Sequence, residues 1–281
     1  MSSTDDNGSQ PSGQFSIIIP ACIQERSLLE IFRENLRTFR HDAIGRFYVL
    51  CNRLTVMSES TLEAMLQAEV EASIQVIADK ERSVAGAWNR GIQLSDTDGF
   101  TQYLITAVDV SVTPKTIDAL LDYGTADPGC DIWSSTPTSE DIDDSQMMRD
   151  WHDFSCLMLR RGTIHKHGWF DREYKPAYFE DNDYATRVVL GGGRMKQLFS
   201  ARHEHFTSLT IKKDSEMARH VAHWYDINHG RFHRKWGHKS DDVDEVKSRC
   251  HPTPLDSGKP LHWWPEQDEV ECYNPGGGIH E

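Results

Sequence analysis

A handful of short stretches in this chain carry side chains whose type and spacing suit chemistry at a phosphate or a hydroxyl. The first is Asp109, in Ala107-Val108-Asp109-Val110-Ser111, directly after an apolar run. A carboxylate at the carboxyl end of a buried strand is placed to hold a divalent cation, and Mg²⁺ or Mn²⁺ commonly bridges such a group to diphosphate oxygens. An Asp that only starts a turn has the same appearance. The second stretch is Tyr178-Phe179-Glu180-Asp181-Asn182-Asp183. Its carboxylates repel one another, which raises at least one pKa and suits general-base work. Asp183 or Asp181 is equally suited to cap a following helix, but a cap needs one acid rather than three. The third is His203-Glu204-His205. On a strand both imidazoles point to one face, where either can ligate a transition metal; a structural role is the commoner fate of a histidine, and this chain has 14. The fourth, Ser83-Val84-Ala85-Gly86-Ala87-Trp88-Asn89-Arg90-Gly91, opens a helix with small residues. Free N–H groups there attract phosphate. Tight helix–sheet packing calls for the same residues, and the string is neither a Walker loop nor G-x-G-x-x-G.

The elements that must position these groups follow from hydrophobic period. Short apolar or β-branched runs at 15–20, 46–51, 73–78 and 103–107 read as buried strands, the first stopped by Pro20. Helical spacing fills the intervals at 27–36, 58–68, 84–94 and 114–123, with Ser58 or Ser60 as a cap and Pro114 in a first turn. Strands alternating with helices of this length imply βαβ units and a mostly parallel sheet, in which ligands bind beyond the carboxyl ends of the strands. Further strands are expected at 154–159 and 196–199, short helices at 162–167 and 183–190, and a long amphipathic helix at 214–236.

Composition bounds the function. The 281 residues carry 38% hydrophobic content and a formal net charge of −14, which argues against broad nonspecific binding of nucleic acid. The positive charge gathers late, at Lys212, Lys213, Arg231, Arg234 and Lys235, as a solvated face or a phosphate-facing surface. No apolar run is long enough for a membrane span. Residues 1–14 are polar and acidic without the apolar core of a leader, so the expectation is a cytoplasmic protein with a disordered lead-in. The six cysteines form no C-x-x-C pair, and a reduced compartment is expected.

Taken in register, several segments resemble glycosyltransferase family 2 and related GT-A enzymes over residues 15–237. They are Ser16-Ile17-Ile18-Ile19-Pro20, Ala87-Trp88-Asn89-Arg90-Gly91, Asp109-Val110-Ser111-Val112-Thr113-Pro114, Gly168-Trp169-Phe170-Asp171, the Tyr178–Asp183 stretch, and Phe232-His233-Arg234-Lys235-Trp236-Gly237. The resemblance implies an α/β GT-A fold, Rossmann-like, with a nucleotide-binding half over 15–113, an acceptor-binding half over 114–237 and an extension at 238–281. It implies transfer of a sugar, with inversion, from a nucleotide-diphosphate sugar, expected to be a UDP-sugar, to an acceptor hydroxyl on a glycan or on a hydroxylated nucleic-acid base. Pro20, Ala21 and Glu25 would line the nucleoside pocket, and Asn52 would stand where such enzymes often place an acid that reads uracil or ribose. Asn89 and Arg90 would lie near the base and the diphosphate. Asp109 falls on the last position of the D-x-D motif and would bind Mn²⁺ or Mg²⁺ with His205 or His203. Asp181 falls on the catalytic base, with Glu180 beside it. The chain departs from the pattern at Ala107, the first D-x-D position, and at Asn52, and both departures also fit a degenerate domain that binds a nucleotide sugar or a partner without catalysis.

Overall fold

The computed structural model describes residues 13–78, 83–142, 145–150, 153–206 and 215–236. Residues 1–12, the 238–281 extension, Lys212 and Lys213 lie outside these. In chain order the elements are β1 (Phe15–Ile23), α1 (Arg26–Leu36), β2 (Ile44–Leu54), α2 (Glu59–Gln67), β3 (Ser73–Ala78), α3 (Val84–Thr97), β4 (Gln102–Thr106), β5 (Val110–Val112) and α4 (Pro114–Ala126). There follow β6 (Ile132–Pro137), β7 (Met148–Arg149), β8 (Cys156–Arg160), α5 (Arg161–His167), α6 (Glu180–Leu190), β9 (Met195–His205) and α7 (Ser215–Trp236).

The strands form one sheet in the order β3-β2-β1-β4-β8-β6-β9-β5, with β7 pairing to β9. The first four are mutually parallel. Beyond β4 the sheet is mixed: β8 runs antiparallel to β4 and β6, β6 is parallel to β9, and β5 and β7 are antiparallel to β9. The parallel strands of the expected mostly parallel sheet make up the first half, and the second half adds reversed strands.

Period-two alternation in β1 divides the core. Phe15, Ile17, Ile19, Ala21 and Ile23 pack on one face with Leu28, Leu29 and Phe32 of α1. Ile18 packs on the other with Ala85, Trp88 and Ile92 of α3. The α1 and α3 connections thus lie on opposite faces, which puts a topological switch point at the carboxyl ends of β1 and β4, where open α/β sheets bind ligands. Gly91 allows α3 to sit this close: a Cβ there would meet Ile18 Cγ2 at 2.3 Å. The small residues of that helix serve packing.

β1 runs on to Ile23, past the expected stop at Pro20. β4 pairs only with Ser16, Ile17 and Ile18, so Pro20 sits where β1 has a single neighbour, a place a residue without an N–H tolerates. Helix starts follow ordinary capping chemistry. Ser58 accepts from Thr61 N, Ser83 from Gly86 N, and Thr113 forms a reciprocal capping box with Thr116 ahead of Pro114. No helix among the described residues is long and apolar enough to cross a membrane. Cys22, Cys51, Cys130 and Cys156 are all free thiols.

Candidate active site

The turn after β4 carries Asp109, 5% exposed. β5 leaves that turn and pairs with the end of β9, setting Val110 opposite His205 and Val112 opposite His203. Phe206 N donates to the Asp109 carbonyl at 3.0 Å, which closes the junction. The result is an imidazole facing a carboxylate, with His205 Nε2 3.6 Å from Asp109 Oδ1. Burial by itself would lower the His205 pKa, but the hydrogen bond and charge of Asp109, with Asp153 adding to them, leave it raised.

A β-bulge brings the histidines here. On β9, Leu198 lies opposite Ser135 while Arg202 lies opposite the next residue, Thr136, so β9 loops out between them and its last residues swing over to β5. The sequence reading placed a strand only at 196–199; the bulge joins that run to the histidines in one element.

The two histidines are not equivalent. His203 is 1% exposed. Its Nδ1 is bonded to Ser135 Oγ at 2.8 Å and its Nε2 to Ser155 Oγ at 2.8 Å, so both ring nitrogens are occupied. Ser155 Oγ donates in turn to Asp153. Burial pushes the His203 pKa down to about 4 against the pull of Asp153, with His205 and Arg202 adding to the fall. Of the pair expected at a metal, the geometry leaves His205 facing Asp109 and gives His203 to the sheet. Among the described residues no cluster of three or more His, Cys, Asp or Glu could hold a metal alone. A carboxylate and an imidazole side by side still fit a Mn²⁺ or Mg²⁺ whose remaining positions are filled by diphosphate and water oxygens.

The acidic stretch starts α6 three residues earlier than expected, at Glu180. The capping position falls on Phe179, in a left-handed conformation and without a side-chain cap bond, so neither Asp181 nor Asp183 is the cap. Tyr178 and Phe179 have φ of 75° and 73°. Two successive non-glycine residues in this region store about 1–3 kcal/mol each, which persists only where surrounding structure over-determines it.

The three acids take different parts. Asp183, fully buried, pairs with Arg187 Nε at 3.1 Å and Lys235 Nζ at 2.7 Å, and accepts from the Trp236 indole at 2.9 Å. Lys235 also reaches Asp171 at 2.9 Å. Glu180 is 5% exposed with Oε2 unpartnered. Burial first, then the charge of Asp181, pushes its carboxyl well above the usual range. Asp181 is half-buried in the first helical turn, its Oδ1 accepting from Asn182 N at 2.8 Å.

Other expected residues divide similarly. Asn89 is buried and its amide is engaged by the backbone of Phe170, donating to the carbonyl at 2.8 Å and accepting from the N–H at 3.0 Å. It ties α3 to the Gly168-Trp169-Phe170-Asp171 segment. Arg90 donates to Gln93 at 2.8 Å. Pro20 and Ala21 lie on the free stretch of β1, and Glu25, exposed just before α1, accepts from Ser27 at 3.2 Å. Asn52, near the end of β2, has its Oδ1 buried with no partner among the described residues. An orphaned acceptor at a strand's carboxyl end can receive an N–H or O–H from a ligand.

Sequence reasoning missed Asn228, and Lys235, read as part of a solvated or phosphate-facing run, is instead buried between Asp171 and Asp183. Asn228 Nδ2 donates to the carbonyls of Lys175, Ala177 and Tyr178 at 3.0, 3.0 and 3.2 Å. A polar residue on the apolar face of a long helix was the available signal.

No protein-family profile and no curated protein matches the sequence. Solved structures do match the fold. The mannosyltransferase PcManGT from Pyrobaculum calidifontis, in complex with GDP-Man and Mn²⁺, superposes with a TM-score of 0.55 at 16% identity, over 80% of this chain and 70% of that one. GalNAc-T7 with UDP, GalNAc and Mn²⁺ gives 0.58 at 10% identity, over 72% of this chain and 44% of the larger enzyme. The fold is GT-A. Asp109 thus stands at the carboxyl edge of a GT-A sheet, with His205 beside it from the mixed half and the Asp181 turn held between α3 and α7. Val84 N, at the start of α3, donates to the Pro176 carbonyl at 2.9 Å, which joins that turn to the parallel half.

Proposed function

We propose that this chain transfers a sugar from a nucleotide-diphosphate sugar to an acceptor hydroxyl, with inversion. The observation that carries the proposal is Asp109 facing His205 at the carboxyl edge of a GT-A sheet. Asp109 and His205 would hold Mn²⁺ or Mg²⁺, which when bound offsets the charge developing on the leaving diphosphate. Pro20, Ala21 and Asn52 line the nucleoside side, the orphaned Asn52 oxygen accepting from base or ribose. Asp181 takes the proton of the acceptor hydroxyl as its oxygen bonds to the anomeric carbon and the nucleoside diphosphate departs. A UDP donor remains our reading, and the acceptor is a hydroxyl on a glycan or a modified nucleic-acid base.

A thermal-shift panel of UDP, GDP, dTDP and CDP, each with and without Mn²⁺, tests the donor assignment. A ligand at a hundredfold excess over its Kd adds about 2.7 kcal/mol to the folded state, or about 5–10 °C for a domain of this size. The expected result is a Mn²⁺-dependent shift with UDP. A shift confined to another nucleotide reassigns the donor, and none with any of the four contradicts the proposal.

A further inference from the structure

We infer that Asn228 on α7 is the residue that positions the Asp181 turn, an assignment that rests on reading Asp181 as the base. The turn needs an external hold. Tyr178 and Phe179 occupy backbone conformations that side-chain-bearing residues avoid, and α6 has no cap bond of its own to fix its first turn.

The hold comes from one face of α7. Tyr225, Asn228, His229, Phe232 and Trp236 recur at helical spacing. The Tyr225 ring meets Tyr178 edge-on at 5.5 Å and lies 5.1 Å from Phe179. His229 and Phe232 lie 5.4 and 5.8 Å from the Phe179 ring. At the centre of this face is Asn228, fully buried, its N–H groups shared among the carbonyls of Lys175, Ala177 and Tyr178. These three carbonyls converge on the one side-chain amide, just ahead of the left-handed pair. Only a side chain with donors on a short arm meets the need. Farther along, Lys235 and Trp236 tie the same helix to Asp183, two residues beyond Asp181. The direction of Asp181 is therefore inherited from α7 on both sides, with Asn228 setting the backbone that precedes it.

Amide hydrogen exchange and steady-state kinetics on the full chain, wild type against Asn228→Ala, decide the matter. The expected outcome is local. Amides of residues 177–183 exchange about tenfold faster, the equivalent of one or two lost hydrogen bonds, while β1 keeps its protection. The kcat for transfer falls about a hundredfold, as for a misplaced reacting group, with donor KM and the Mn²⁺-dependent affinity for UDP unchanged. Asn228→Ser keeps one donor on a shorter arm; it should give intermediate values and carries the test if the alanine variant does not fold. Wild-type exchange in the turn, exchange that quickens equally throughout the sheet, or a loss that falls on KM would overturn the assignment. A wild-type chain without transfer activity would remove the reading of Asp181 instead, and the exchange result alone would then decide whether Asn228 holds the turn.

Discussion

Glu180 is buried with one carboxyl oxygen unpartnered, while Asp181, the next residue, is half-buried and bonded to a backbone N–H. Their environments separate their roles. Burial holds the Glu180 pKa well above 4.5, so between the unfolded and folded pKa the fold holds a proton that the unfolded chain releases. Stability from this group is present below the unfolded pKa and is lost as pH rises, at about 1.4 kcal/mol per pH unit until the folded pKa is passed. Glu180→Gln removes that loss. Its melting temperature should exceed wild type at about pH 7.5, with the gain fading by about pH 4. The same variant should retain most of its transfer activity, whereas Asp181→Asn should lower kcat by about 10²–10⁴-fold. Comparable losses in both variants, measured under single-turnover conditions, would mean that Glu180 takes part as a proton acceptor.

At the scale of elements, the contact between α3 and β1 sets the floor of the nucleoside side. Gly91 has no room for a methyl group, since Ile18 fills the space. Gly91→Ala should cost about 1–3 kcal/mol by overpacking, read as a lower urea midpoint with an unchanged slope. A neutral outcome would show that the helix sits farther from the strand. The same elements show what the sequence could reveal. β1 to β4 were legible because each is an apolar run bounded by breakers, so the parallel half and the place of Asp109 after a strand could be read from pattern. β6 was not, because half of it is Ser134, Ser135 and Thr136, polar yet fully buried. The Ser135 hydroxyl bonds His203 and the Cys156 carbonyl, that of Thr136 the Leu198 carbonyl, and that of Ser134 accepts from Asp153 N, and no local period encodes such partners. The start of α6 was read late because acids read as caps, while the chain turns through two left-handed residues first. Lys235 and Asn228 were missed as parts of the turn because their partners lie 50 to 64 residues away.

Over the whole molecule, a parallel half presents its strand ends on one edge, and a mixed half carries β9 back so that His205 meets Asp109. α7 then locks the acidic turn against both. Lys235 spans Asp171 and Asp183 at 7% exposure, and such a buried ion, stripped of one partner, destabilises by about 3–5 kcal/mol. Of the late basic residues, Lys235 is therefore held inside the fold, and Arg231 bonds Glu173. We propose that Asp109 and His205 together form the seat for a metal and a diphosphate. Electron paramagnetic resonance of free Mn²⁺, titrated with protein in the presence and absence of UDP and GDP, tests it most directly. The account expects Mn²⁺ to be taken up with a nucleoside diphosphate, and uptake to be lost in Asp109→Ala, and in His205→Ala, but retained in Asp181→Asn. Equal uptake by wild type and both metal-site variants, or none by a folded wild type, would contradict it.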